Sequence, residues 1–212
     1  MAERGPERAA IAGLVLAGGQ GRRMGGVDKG LQPFLGVALA RRAAERLAPQ
    51  VAALSISANR HLARYRSWNW PVLQDDPRYL DCGPLAGMLA GLRASTLPWL
   101  ACVPCDVPQV PLDLVPRLAA ATATRQVVFA SAPDPEQPGG PLRRHPTCCL
   151  LHHSLQPALT AYLQGGGRRL DAWMRSLPHA EVAFDDAAAF ANLNTLSDLD
   201  AAEVQVQTGE RR

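Results

Sequence analysis

The sequence predicts a three-layer, Rossmann-like α/β fold built on a mostly parallel, twisted sheet. Two observations carry this prediction. Short apolar runs alternate with segments of helical spacing along the 212 residues, the pattern of β-α-β units. The first apolar run, IAGLVLA, has no polar face, as a strand covered on both sides requires, and it passes directly into the glycine-rich segment LAGGQGRRMGGVDKGL.

The elements follow in order. Residues 11–17 form the first buried strand. Residues 37–47 have helical spacing, with Leu39, Ala43 and Leu47 on one side. Residues 51–57 are a strand and 71–74 a short one. Residues 85–94 are a helix of small residues opened by Gly83-Pro84, with the proline in its first turn. A strand at 98–103 and a helix at 112–121 come next, then strands at 127–131 and 147–151. Helices at 155–163 and 170–177 precede an edge strand at 182–184. Ser197 is placed to cap a final helix ending near residue 204. The segment APDPEQPGGPLRR is expected to be a mobile surface loop. The organisation expected is a flexible stretch over 1–10, one domain over 11–204 and a disordered tail over 205–212, without internal repeats.

Composition narrows the function classes. The formal charge is +3, arginines are scattered and aromatics make up 5% of the chain, unlike the basic face with stacking rings of a nucleic-acid binder. No apolar run is long enough to cross a membrane. Residues 9–19, preceded by Arg4 and Arg8, resemble a signal-peptide core. However, glycines, arginines and a lysine follow at once without a small-residue cleavage site, which favours a buried strand. Five cysteines, an odd number, are expected to be reduced thiols in the cytoplasm.

In such sheets ligands bind beyond the carboxyl ends of the strands, which places the chemistry just after Ala17, Ser57, Gln74 and Val103. The segment after Ala17 fits neither common phosphate loop. Lys29 is followed by Gly30 rather than a hydroxyl, and Met24 stands where a dinucleotide fingerprint needs its third glycine. Still, Gly18, Gly19 and Gly21 permit close backbone approach to an anion, and Arg22, Arg23 and Lys29 bring cations to the same loop. The alternative is a tight turn with solvated arginines.

Asn59 can donate to and accept from a ribose or base, or cap the next helix. Asp75, with Asp76 as the fallback, follows the third strand and offers a carboxylate that accepts hydrogen bonds. Gly83 to Leu85 would bring backbone groups near the base, although the small residues of GPLAGMLAGL also suit close helix–sheet packing. Asp106 lies between Pro104 and Pro108 and offers a hard carboxylate for Mg²⁺, or simply turns a loop. Cys102 and Cys105 form a C-x-x-C without a second such pair or a histidine pair at finger spacing, and the adjacent Cys148 and Cys149 suit a tetrahedral site poorly. Metal or redox use is the lesser reading. No Ser-His-Asp or Cys-His set stands out: His145 precedes a proline, and His152-His153 open a helix.

LAGGQGRRMGGVDKGL closely resembles the signature of nucleotidyltransferases that activate a substrate with a nucleoside triphosphate. Its DKGL form resembles the molybdenum cofactor guanylyltransferases in particular. SANRH, GPLAGMLAGL, PCDVPQVP, HPTCCLL, GGGRRLDAWM and FANLNTLSDL continue the resemblance in the family's order, from Leu14 to about Leu199. The resemblance implies a nucleotidyltransferase fold and a reaction. The phosphate of molybdopterin, or of its molybdenum adduct, attacks the α-phosphorus of GTP; pyrophosphate leaves and a guanine dinucleotide forms. It assigns GTP contacts to Leu16, Ala17, Gly18, Gly19, Gly21, Lys29, Asn59, Asp75, Gly83 and Asp106, with Mg²⁺ on Asp106. Lys29 would neutralise the triphosphate and Arg23 would assist pyrophosphate departure. His145, Arg168, Arg169, Asn192 and Asn194 are the candidates for the pterin side. Proteins that deliver or receive the cofactor are the expected partners, with no nucleic acid and no membrane. The attacking phosphate is already an anion at neutral pH, so the lack of an evident general base is consistent with this chemistry. The rivals are a CTP-using enzyme acting on the same pterin or a sugar nucleotidyltransferase, a non-catalytic cofactor carrier, and a C-x-x-C redox or zinc protein.

Overall fold

The computed structural model describes residues 5–19, 27–80 and 82–207. Its strands are β1 (Ile11–Leu16), β2 (Pro33–Phe34), β3 (Val37–Ala38), β4 (Ala53–Ser57), β5 (Val72–Leu73), β6 (Trp99–Pro104), β7 (Val127–Ala132), β8 (Arg143–His152) and β9 (His179–Ala183). Strands β2 and β3 pair as a small antiparallel hairpin. The other seven form one central sheet in the order β5-β4-β1-β6-β8-β7-β9. Strand β8 runs antiparallel to both of its neighbours, while the other pairings in that sheet are parallel. The chain leaves β1 for β4 on one side and reaches β6 on the other, so the order reverses between β1 and β6. That reversal is where open α/β sheets bind ligands.

The helices are α1 (Leu39–Leu47), α2 (Leu62–Arg66), α3 (Pro84–Ala94), α4 (Leu114–Ala120), α5 (Gln156–Gln164), α6 (Leu170–Arg175) and α7 (Leu196–Gln207). The all-apolar strand β1 is buried at every residue. Its side chains alternate between two cores, as a strand's period of two requires. Ile11 and Val15 join a core with α1 and α4, whereas Leu14 and Leu16 join one with α3, α5 and α6. The small residues of α3 let it lie close on the sheet. A Cβ on Gly91 would stand 2.7 Å from Leu14 Cδ2, and one on Gly87 2.7 Å from Ser57 Oγ. Leu193, Leu199 and Ala202 bury against Phe34 and Leu39, tying α7 to the hairpin.

Helix α2 has no counterpart in the sequence reading, the edge strand expected at 182–184 runs over His179–Ala183, and α7 continues to Gln207, past the end expected near residue 204. Three further departures have a local cause. The helix expected from residue 37 begins at Leu39, because Val37 and Ala38 pair with Pro33 and Phe34 around a turn in which both Leu35 (φ 49°) and Gly36 (φ 75°) are left-handed. Strand β8 begins at Arg143, inside the stretch expected to be loop, and extends through His152, which caps the 3-10 turn His153–Leu155 that leads into α5. Its ladder to β7 slips between Phe129↔Cys149 and Ala130↔His145; Pro146 lies in the slipped stretch and has no N–H to give the ladder. Finally, Thr195 rather than Ser197 caps α7. Its hydroxyl accepts the Asp198 N–H at 3.1 Å, and the Asp198 carboxylate accepts the Thr195 N–H at 2.8 Å, a reciprocal capping box.

Candidate active site

Four strand ends at the reversal bring the predicted residues to one edge of the sheet. Leu16 and Ala17 end β1 with their backbones committed: the Leu16 carbonyl accepts from the Cys105 amide at 3.0 Å, and the Ala17 amide donates to the Ser57 carbonyl at 2.8 Å. The chain emerges at Gly18. A Cβ there would sit 3.0 Å from Asn59 Nδ2, at the limit of the packing that real side chains adopt.

Beyond β4 and β5 a polar cluster assembles. Asn59 Nδ2 donates to Asp75 Oδ2 at 2.7 Å and to the Gly18 carbonyl at 3.5 Å, while its Oδ1 accepts the Asp75 amide at 2.9 Å. Ser57 Oγ lies 3.4 Å from Asp75 Oδ1. The amide of Asn59 is therefore engaged in holding Asp75 and the glycine turn in register. Asp75 is buried, and burial raises its pKa, an effect opposed by the bonds from Asn59 and Ser57. Asp76, the fallback, has a different task. Its carboxylate takes Arg78 and Arg93, and the Arg78 bonds hold its pKa well below the usual range. Gly83, with φ 58°, opens α3 nearby, followed by Pro84 in the first turn.

A second cluster lies beyond β6. Lys29 Nζ donates to Asp106 Oδ2 at 2.7 Å and to Asn194 Oδ1 at 2.8 Å. Both ends of the ion pair are about one-fifth exposed, at 18% for Lys29 and 19% for Asp106. Asp198 presents Asn194 by accepting the amides of both Asn194 (2.7 Å) and Thr195 (2.8 Å). Partial burial works to raise the Asp198 pKa, but those amides, the Thr195 hydroxyl and the Lys29 charge lower it overall. The Leu193 amide donates to the Asp106 carbonyl at 2.9 Å, closing this end of the site. Asp106 Oδ1 is buried and accepts no hydrogen bond among the described residues. Nor do the described residues contain a group of three or more His, Cys, Asp or Glu that could cage a metal. A single carboxylate with an unused, buried oxygen suits Mg²⁺, which takes few protein ligands and completes its shell with phosphate oxygens and water.

Asn194, expected on the pterin side, thus stands with Lys29 and Asp106. Asn192 is exposed two residues before it. His145, near the start of β8, stacks on Phe190 with centroids 4.8 Å apart. Burial, then the Arg143 charge, lower its pKa to about 4, with Asp134 opposing, so it is neutral at pH 7. Arg168 Nη1 donates to the Gly167 and Leu163 carbonyls, and Arg169 stands at the N-terminus of α6. Gly21 and Arg23, with Arg22, lie outside the described residues; Gly19 lies at their border, where its carbonyl accepts from Arg60. The C-x-x-C cysteines are free and buried, and burial raises the Cys105 thiol pKa.

The sequence reading gave no role to Asp28, His61 and Tyr65. Tyr65 OH donates to Asp28 Oδ1 at 2.7 Å, and His61 Nδ1 lies 3.0 Å from Oδ2. Thr195 and Asp198 were also unassigned, although T-x-x-D carries the sequence signal of a capping box.

A MobA-like NTP transferase domain matches residues 13–181. The molybdenum cofactor guanylyltransferase of Cupriavidus taiwanensis is 50% identical over 196 residues, covering 92% of this chain and 97% of the relative. That of Ralstonia nicotianae is 51% identical over 193 residues, covering 89% and 94%. Among solved structures, the molybdopterin-guanine dinucleotide biosynthesis protein A of Archaeoglobus fulgidus superposes with a TM-score of 0.73 at 21% identity, over 93% of this chain and 99% of that one. The 2-C-methyl-D-erythritol 4-phosphate cytidylyltransferase of Thermus thermophilus superposes with a TM-score of 0.68 at 15% identity, over 92% and 98%. These two likenesses establish the fold.

Proposed function

Because the chain belongs to the MobA-like NTP transferase family, and within it to the molybdenum cofactor guanylyltransferases, we propose that it transfers GMP from GTP to the phosphate of molybdopterin or molybdenum-molybdopterin. The products are pyrophosphate and the guanine dinucleotide form of the cofactor. The observation that carries this reading at the level of residues is the convergence of two clusters on one sheet edge. Asp75 with Asn59 forms an acceptor for a base, and Lys29 with Asp106 forms a charged end for a triphosphate.

The polarity of the site sets the division of labour. The Asp75 carboxylate faces the N1–H and amino donors of guanine, which cytosine presents differently. Lys29 is held by two oxygens and exchanges them for phosphate oxygens, whose charge-assisted bonds to an ammonium are stronger than its bond to the Asn194 amide. Asp106 would hold Mg²⁺, which when bound neutralises phosphate charge that the side chains alone leave exposed. The acceptor phosphate brings its own negative charge and needs no base to create it. The work left to the chain is to align two anions and keep their repulsion low. His145, neutral and stacked, offers a flat partner for the pterin side, together with Arg168, Arg169 and Asn192. Five free cysteines support a reducing compartment, the cytoplasm. Partner proteins would supply the pterin and receive the product. Among the described residues no helix is long and apolar enough to cross a membrane.

Nucleotide choice tests this reading. With Mg²⁺ present, GTP is expected to raise the melting temperature more than ATP, CTP or UTP at equal concentration, since a ligand bound only to the folded state stabilises it more the tighter it binds. A larger shift with CTP would replace the guanylyl reading by the cytidylyl one.

A further inference from the structure

Asp28 sits one residue before the cation of the site, yet its carboxylate is paired elsewhere than that cation. It is 6% exposed, one of two buried carboxylates among the described residues, the other being Asp75. Both carboxylate oxygens of Asp28 are used, one by the Tyr65 hydroxyl at 2.7 Å and the other by His61 Nδ1 at 3.0 Å. Its carbonyl accepts the Leu31 amide and Gln32 Nε2, each at 3.2 Å, fixing the 3-10 turn Lys29–Leu31. The fit continues into that turn, where a Cβ on Gly30 would collide with the Tyr65 hydroxyl. On the other side, His61 opens α2 in a left-handed conformation (φ 48°) two residues after Asn59. Burial, and then the bond to Asp28, push the Tyr65 pKa up, so the phenol remains a donor.

The carboxylate therefore joins two loops that a single nucleotide must span. One carries Lys29 toward the phosphates, and the other carries Asn59 and, through it, Asp75. We infer that Asp28 is a positioning residue: anchored by Tyr65 and His61, it sets the distance between the Lys29 ammonium and the Asn59–Asp75 base pocket, so that one GTP reaches both. This rests on the guanylyltransferase reading above. A span of this kind matters because misplacing a binding group by about 1 Å can cost about 100-fold in rate.

The experiment measures kcat and KM for GTP, and GTP affinity by calorimetry, in the full chain. Asp28→Ala removes the tie, and Tyr65→Phe removes one of its bonds while keeping the ring in the core. Both are expected to lower kcat/KM by about 10–100-fold, with folded circular dichroism retained for Tyr65→Phe even if Asp28→Ala folds poorly. Asp28→Asn keeps an acceptor for Tyr65 and is expected to stay within about threefold of wild type, which separates a geometric tie from a need for charge. In a Lys29→Met background, Tyr65→Phe is expected to add less than about twofold, since it acts through a lysine no longer there. Full multiplication of the two effects, or a loss in Asp28→Asn as large as in Asp28→Ala, overturns the inference. Normal turnover by a folded Tyr65→Phe also overturns it. The parent reading fails separately, if wild type transfers no GMP from GTP.

Discussion

Lys29→Met is expected to lower the rate of pyrophosphate release from GTP about 100–1,000-fold, the cost typical of removing one preorganised group that meets developing charge. The ammonium lies 2.7 Å from Asp106 and 2.8 Å from Asn194, directly beside the proposed metal carboxylate. The companion substitution Asp106→Asn retains the shape but not the charge. It is expected to remove most of the dependence of the rate on Mg²⁺, because a neutral amide is a poor ligand for a hard cation. The two changes act on one unit, so the double variant should be little worse than the poorer single one. Steady-state rates across a Mg²⁺ titration make the comparison. A Lys29→Met rate close to that of wild type would remove the lysine from the mechanism. An undiminished Mg²⁺ response in Asp106→Asn would place the metal elsewhere.

Asp75→Asn is expected to move stability and function in opposite directions. Burial raises the Asp75 pKa above its unfolded value of 3.8, against the pull of Asn59 and Ser57. The folded state then keeps a proton that the unfolded chain has already lost. Stability falls as pH rises through that window and stays lower above it. The amide carries no such cost. Asp75→Asn should therefore melt higher than wild type near pH 7, with no advantage at pH values where the acid is protonated in both states. At this chain length each kcal/mol relieved is worth about 2–4 °C. GTP affinity should fall about 10–100-fold, the scale of losing a two-point contact to a base edge, since the amide presents a donor where guanine also presents one. Melting curves from acid to neutral pH, with calorimetric titration of GTP, read both halves. Unchanged GTP affinity would mean that Asp75 does not face the base.

Much of this site was legible because strand ends are legible. Apolar runs located β1, β4, β5 and β6, the rule that ligands bind beyond the carboxyl ends pointed to the segments after them, and the family resemblance singled out Asn59, Asp75 and Asp106 within those segments. The preference for Asp75 over Asp76 came from the resemblance; its physical reason is tertiary, since Asp75 is buried while Arg78 and Arg93 claim Asp76. The hairpin at residues 33–38 escaped because its turn puts Leu35 at φ 49°, a conformation a bulky side chain rarely signals. The start of β8 escaped because Arg143 and Arg144 read as loop. Only pairing with Ser131 and Ala132 makes them strand. Asp28 and Tyr65 are 37 positions apart, and no local pattern links them. Asn194 reads from the sequence as a pterin-side residue because order along the chain does not show that its loop folds back onto Lys29.

The central proposal is that Lys29 and Asp106 serve a transfer from GTP to a pterin phosphate. The most direct test is pyrophosphate release by the wild-type chain from GTP and Mg²⁺, with and without molybdopterin, with the product's mass read in parallel. Release should depend on molybdopterin and match, mole for mole, the appearance of a guanine dinucleotide. Release that ignores molybdopterin, or a dinucleotide formed faster from CTP than from GTP, would contradict it.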